Sequence, residues 1–129
     1  MATQQNLTVV TLAAVGSISK YHCCEAYPSA DLSAKQCDAD TDNIIGIAQN
    51  DAASGDPVGI AVYGLVKVKC TDAAGITGGT IVAPNSDGGV KPAEAGDKGI
   101  GVALNGMNFN AIGEILFVPN VFGVNIAGN

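Results

Sequence analysis

The chain has 129 residues, of which 47% are apolar and only 14% charged, and its formal net charge at pH 7 is −6. This length suits a single domain with one modest core, and the low charge content favours covering part of the surface with other protein copies. The acidic balance and the absence of arginine exclude direct nucleic-acid binding, because Arg is the residue best suited to bidentate phosphate and base contacts.

Residues 1–19 are predicted to form an extended arm that precedes a single β-domain of residues 20–129. The segment LTVVTLAAVGSIS is rich in β-branched residues, which crowd a helix. The apolar run at 7–18 is interrupted by hydroxyl side chains and is too short to span a bilayer, so neither a signal peptide nor a membrane partner is expected.

The arm is a candidate for binding the partner of this protein, because an extended strand can add to the edge of another chain's sheet. The alternative is an edge strand of its own domain, or of a neighbouring copy. The residues of the predicted binding arm are Thr8, Val9, Val10, Thr11 and Leu12.

The four cysteines, Cys23, Cys24, Cys37 and Cys70, are predicted to be free thiols, because no export signal directs them to an oxidising compartment. One alternative is a thiol or metal module built on His22 and the first three of these cysteines. Their spacing matches no zinc motif, and adjacent strand residues point to opposite faces, so His22 and Cys23 would not meet. We therefore expect no enzyme activity, no cofactor and no metal.

An acidic run, DADTD at residues 38–42, begins like a calcium loop, whose first ligands follow the pattern D-x-D-x-D. The loop then requires Gly at its sixth position and Glu at its twelfth, where this chain has Asn43 and Gln49. A solvated acidic turn is the expected structure.

A duplicated motif organises the rest of the chain: IGIAQN at 45–50 matches IGVALN at 100–105. Each copy reads as a short apolar strand, an Asn-containing corner and a second apolar run that returns, at 58–62 and at 112–118. Two related β-units in one small domain are predicted. The expected fold is an all-β barrel or sandwich with at most one or two helical turns.

Residues 115–118, ILFV, are apolar at consecutive positions, so both faces of this strand should be covered. A small lone domain cannot cover both, and a homotrimer is therefore predicted, in which identical patches meet at an axis. The residues predicted to lie near the threefold axis are Ile115, Phe117, Val121 and Phe122.

Several segments together carry a resemblance to a known family. They are IGIA at 45–48, AASGDPV at 52–58, a strand with Gly64 and Val66, a hairpin loop at 84–89, and IGVAL at 100–104. Over residues 44–118 the chain resembles the small capsid decoration (cement) proteins of tailed bacteriophages. The resemblance does not extend to NFN at 108–110 or to residues 19–43.

This resemblance implies a structural virion protein without catalysis or a small-molecule substrate. It implies a β-rich homotrimer that binds the major capsid protein at threefold positions on the outer surface of the head and stabilises the shell. Such a protein is made in the cytoplasm of the host bacterium.

One competing hypothesis is a fibre base or a carbohydrate-binding surface module. That function requires exposed aromatic side chains around a groove. The aromatic residues available are Tyr21, Tyr27, Tyr63, Phe109, Phe117 and Phe122.

Overall fold

The computed structural model describes residues 5–39 and 42–118, and within them it contains only strands, turns and loops. The predicted all-β class is confirmed. In the described part of the chain no helix is long and apolar enough to cross a membrane. The strands are β1 (Gln5–Ala14), β2 (Cys23–Ala26), β3 (Ser33–Gln36), β4 (Ile44–Ala48), β5 (Pro57–Lys69), β6 (Ile81–Pro84), β7 (Val90–Pro92), β8 (Gly101–Ala103) and β9 (Ile112–Phe117).

Strands β1 to β5 form a closed five-stranded barrel, which we call the first unit. β1 pairs antiparallel with β5 and parallel with β3, and the order β3-β2-β4-β5 completes the circle. Because the first and last strands pair with each other, the sheet closes into a barrel. The side chains of its core are small or β-branched, and they are Ala14, Ile18, Cys24, Ala34, Ala48, Ala52, Val58 and Ile60.

Strand β5 continues into a second unit, in which the order β5-β9-β8-β6-β7 repeats that of the first. Its closing contact is a single parallel bridge between Cys70 and Val90. The units share β5, and Gly64 lies in this strand with a φ of 119°, a conformation that favours glycine. Buried residues of the second unit include Val66, Val68, Val82, Ile100, Ile115 and Phe117.

The duplication predicted from the two IG motifs is confirmed by matching hydrogen bonds. The side-chain Oδ1 of Asn50 accepts the backbone N–H of Gly59 at 2.8 Å, and Oδ1 of Asn105 accepts that of Glu114 at 3.1 Å. In both units the asparagine at the corner therefore binds the start of the returning strand nine residues later. Each unit also has one isolated antiparallel bridge after its motif, Ile18 with Ala52 and Ile76 with Met107.

The glycine of each motif lies against the backbone of the returning strand. A Cβ atom at Gly46 would collide with the carbonyl oxygen of Ala61, and one at Gly101 would collide with that of Leu116. A backbone oxygen in a sheet cannot move aside as a long side chain can. Close packing of the strands therefore explains why both copies of the motif contain glycine.

The N-terminal segment is part of the first unit, which corrects the prediction of an arm extended from a separate β-domain. β1 pairs with β5 through residues that include Val9 opposite Ala61 and Leu12 opposite Val58. Leu12 also packs against the core of the first unit. The structure therefore has the alternative arrangement, a strand of the chain's own domain.

Candidate functional site

Strand β9 has one buried face and one open face. Ile115 and Phe117 are fully buried in the core of their own chain, whereas Leu116 and Val118 are exposed to 43% and 48%. Ile115 and Phe117, which were predicted to lie at a threefold axis, thus pack inside the core of their own chain. Leu116, between them, is the side chain that points outward. In the single chain one face of β9 is open, and its coverage by other copies in a trimer stays a prediction. The other two predicted axis residues, Val121 and Phe122, lie outside the described residues.

The outward side of β9 belongs to a row of apolar side chains across four strands. Ile81, Val102, Leu116 and Leu65 are successive cross-strand partners on β6, β8, β9 and β5. The first three are exposed to 46%, 38% and 43%, and Leu65 is half-buried. We call these four residues the apolar row. Exposed apolar residues that adjoin one another mark a surface for contact with protein.

The residues of the predicted arm form a second candidate surface. Their strand, β1, uses one edge for β5, whereas its pairing with β3 on the other edge is confined to Ala13 and Ala14. Val9 and Val10 are exposed to 47% and 40%, and Thr8 and Thr11 are also exposed. In the described residues, the outer edge of this strand over residues 8–12 therefore faces no other strand.

The histidine and cysteines of the thiol hypothesis are not arranged as a reactive centre. Cys23 and Cys24 lie in two different buried clusters, and His22 Nδ1 lies 2.9 Å from the carbonyl oxygen of Lys20. All four cysteines are free and buried, as predicted. Burial raises the pKa of Cys23 well above its usual range, and it raises the pKa of Cys24 and of Cys37 to about 12. Thiols in this state are protonated and inert toward electrophiles and metals.

In the fold, the acidic run at 38–42 lies beside a carboxylate from a distant part of the sequence, that of Glu25. Glu25, Asp38 and Asp42 place ligand atoms within 4.8 Å of one another. Glu25 lies beside this run because the pairing of β2 with β3 places it opposite Lys35, three residues before Asp38. The Lys35 ammonium lies 2.9 Å from Asp38 Oδ2 and 3.9 Å from Glu25 Oε2, so the cluster has a cation of its own chain. This arrangement matches the predicted acidic turn.

The carboxylates of this cluster have opposite pKa shifts. Burial, followed by the neighbouring Asp42 carboxylate, raises the pKa of Glu25 from 4.5 to about 7. Burial acts in the same direction on Asp42, but hydrogen bonds from Glu25 and from the backbone N–H groups of Asp38 and Ala39 outweigh it and lower the pKa of Asp42. Glu25 is therefore the group of this cluster that changes charge near neutral pH.

Replacing Glu25 with Gln is expected to remove a loss of stability between pH 5 and pH 8. Because the pKa of Glu25 is higher in the folded state, folding favours its protonated form, and the free energy of unfolding falls as the pH rises from 4.5 through 7. Gln carries an N–H donor toward Asp42 and never ionises. Urea denaturation at the two pH values measures the effect, with Glu94→Gln in an exposed turn as the control. An unchanged pH dependence in Glu25→Gln would contradict the assignment.

The two exposed aromatic residues of the described part of the chain do not form the groove that the carbohydrate hypothesis requires. Phe117 is buried, and Tyr63 and Phe109 are the exposed aromatic residues of the described part of the chain. Phe109 is followed by Asn110, whose backbone N–H donates to the carbonyl of Cys70. Cys70 lies seven residues after Tyr63 along the chain. At about 3.3 Å per residue the backbones at these two residues lie roughly 20 Å apart, which is too far for their rings to flank one sugar.

These features define a class of protein: a small β-protein that, in its described residues, presents surfaces for contact and buries its thiols. The family model for the phage cement protein matches residues 2–111, and the chain belongs to that family. The resemblance noted from the sequence is thereby confirmed. No protein of curated function matches the sequence significantly.

The fold is also similar to that of a solved structure, the head fiber gp8.5 N base in bacteriophage phi29. The TM-score is 0.66 and the identity 16%, over 86% of this chain and 93% of that chain. At this identity the similarity shows a shared fold. Membership of this family makes the chain a structural protein of the phage virion and makes an enzyme unexpected.

Proposed function

We propose that this protein binds the outer surface of a bacteriophage head and stabilises the shell as a capsid decoration protein. Its membership of the phage cement protein family is the observation that carries this proposal. Its partner is the major capsid protein, and it acts by adding protein–protein contact area between neighbouring capsid subunits. The closed first unit suits a part that must resist force without changing shape.

The outer edge of β1 is the surface that we propose for binding the capsid. Over Thr8, Val9, Val10, Thr11 and Leu12 the backbone of this edge has no partner strand among the described residues. A strand of the capsid protein can add there, with backbone hydrogen bonds providing affinity and the exposed Val9 and Val10 contacting its side chains. The proposed binding residues are therefore the ones predicted from the sequence, but they lie on a strand of the domain and not on a separate arm.

Co-sedimentation of the purified protein with heads assembled without it tests this function. We expect saturable binding by the wild type and at least a tenfold weaker affinity for Val9→Asp/Val10→Asp, because two carboxylates would be desolvated in the contact. Phe109→Asp, at the opposite end of β5, is the matched control and should bind like the wild type. Failure of the wild type to sediment with heads would overturn the proposal.

A head-fibre base is the second candidate, and the fold shared with the gp8.5 N base favours it. In that case the chain would be the attachment part of a longer fibre polypeptide. Mass spectrometry of intact virion proteins distinguishes the two functions. A virion polypeptide of the mass of this chain supports decoration, whereas peptides of this chain within a much longer polypeptide support a fibre.

A further inference from the structure

The outer edge of β1 is paired only at its end, beside β3. The backbone N–H of Ala13 donates to the carbonyl of Leu32 at 3.1 Å across this edge. Successive residues of a strand direct their backbone groups to opposite edges, so Val9 and Thr11 direct theirs to the same edge as Ala13. In the described part of the chain no strand pairs with them on this side. Their N–H and C=O groups therefore face the place that a further strand, in line with β3, would take.

The exposure of one face of β1 increases with distance from β3. Ala14, beside β3, is 2% exposed, Leu12 is half-buried, and Val10 is 40% exposed. These alternate residues share the face of the strand that packs against the core of the first unit. A strand added beside Val9 and Thr11 would cover Val10. To do so favourably, it must carry an apolar side chain on the face that it turns toward the barrel.

Leu32, at the end of this unpaired edge, is exposed and has an uncommon backbone conformation. Its side chain is 81% exposed, and its φ of 52° lies in the left-handed region. Gly and Asn adopt this region readily, whereas the Cβ atom of other residues crowds the following carbonyl oxygen. An exposed leucine also keeps its apolar surface in water. Neither feature stabilises the single chain, and such conformations cluster at functional sites.

The loop between β2 and β3 fixes Leu32 in this position. The backbone N–H of Tyr27 donates to the carbonyl of Ser33 at 2.9 Å, and the Ser33 hydroxyl donates to the carbonyl of Ala30 at 2.7 Å. The carbonyl of Leu32 itself is bound to Ala13. Its side chain is therefore in place before any partner binds, which lowers the entropic cost of a contact.

We propose that Leu32 is the anchor residue for an extended, apolar segment of the major capsid protein. The segment lies in line with β3, forms backbone hydrogen bonds with Val9 and Thr11, and packs apolar side chains against Val10 and Leu32. This inference rests on the proposed capsid binding, to which it adds the chemistry of the bound segment and the residue that holds it. Contact with the segment removes the leucine from water, which the fold of the single chain does not.

The variant Leu32→Asn separates anchoring from folding. Asn is similar in shape to Leu and suits the left-handed region, but its side chain is polar. In co-sedimentation with heads assembled without this protein, we expect an affinity at least tenfold weaker than that of the wild type. The midpoint of urea denaturation should be unchanged or higher, because the backbone conformation is favoured. A merely structural Leu32 predicts the reverse, a lower midpoint and an unchanged affinity of the folded protein.

Two further variants serve as controls for this measurement. Leu32→Met keeps a long apolar side chain and should bind heads like the wild type. Leu104→Asn makes the same chemical change at a leucine of the second unit that is 50% exposed. It should also bind like the wild type, because Leu104 lies outside the proposed contact.

A photo-crosslink identifies what the loop contacts on the head. All four native cysteines are buried, so a maleimide that carries benzophenone labels the introduced thiol of Asp31→Cys, next to the intact Leu32. After irradiation of decorated heads, mass spectrometry of the crosslinked peptides should find an apolar segment of the major capsid protein. The same label on Leu104→Cys should give no such crosslink.

The outcomes for the anchor and for capsid binding are distinguishable. If the wild type binds heads and Val9→Asp/Val10→Asp does not, but Leu32→Asn binds like the wild type, the anchor is overturned and the proposed function stands. Crosslinks from Asp31→Cys to other copies of this chain alone also overturn the anchor. If the wild type does not bind heads, the proposed function fails and the anchor fails with it.

Discussion

Replacing Phe117 with Ala is expected to lower the free energy of unfolding by about 3–5 kcal/mol, because the ring is fully buried and its loss leaves a cavity in the second unit. Small domains are stable by only about 5–15 kcal/mol, so most of the stability would be lost. Urea denaturation followed by circular dichroism measures the change.

Phe109→Ala is the matched control, since it makes the same chemical change at a ring that is 55% exposed. Its effect should stay within about 0.5 kcal/mol, as is usual for surface substitutions. Similar losses for both variants would contradict the placement of Phe117 in the core. A stable but dissociated Phe117→Ala protein would instead support the original hypothesis that this residue lies at an intermolecular axis.

Alanine at Gly46 or at Gly101 is expected to cost about 3 kcal/mol, at the upper end for overpacking. In each case the added Cβ meets the carbonyl oxygen of a neighbouring strand, which cannot move without separating the sheet. Thermal melts and urea denaturation of both single variants measure the cost. The two losses should be similar, because the positions are equivalent in the two units.

Gly59→Ala provides the control within a strand. A Cβ there would lie 3.4 Å from Val9 Cγ1 and 3.5 Å from Asn50 Oδ1, which are ordinary contacts. Alanine is favoured over glycine in a strand by about 0.5–1 kcal/mol, so a neutral or stabilising effect is expected. If alanine is tolerated equally at all three positions, the close approach of the strands at the IG motifs is not real.

The two β-units could be predicted because their evidence is local. Each copy of the motif is a short segment, at 45–50 and at 100–105, and its asparagine makes the same hydrogen bond in both copies. The open face of β9 could not be predicted in this way. Four consecutive apolar residues at 115–118 have no alternation, and only the pairing with β5 and β8 decides that Leu116 points outward.

The same limit applies to the N-terminal strand and to the acidic cluster. β-branched residues predicted an extended segment at 8–12, but its partner β5 lies about fifty residues further along the chain. Glu25 reaches Asp38 and Asp42 only through the β2–β3 hairpin. A sequence pattern indicates the conformation of a segment, whereas its partners depend on long-range pairing.

A cryo-EM reconstruction of phage heads that carry this protein tests the central claim most directly. We expect density for the two-unit fold on the outer surface of the shell, with the outer edge of β1 against the major capsid protein. Heads without such density on their outer surface, although the protein is present in the virion, would contradict it.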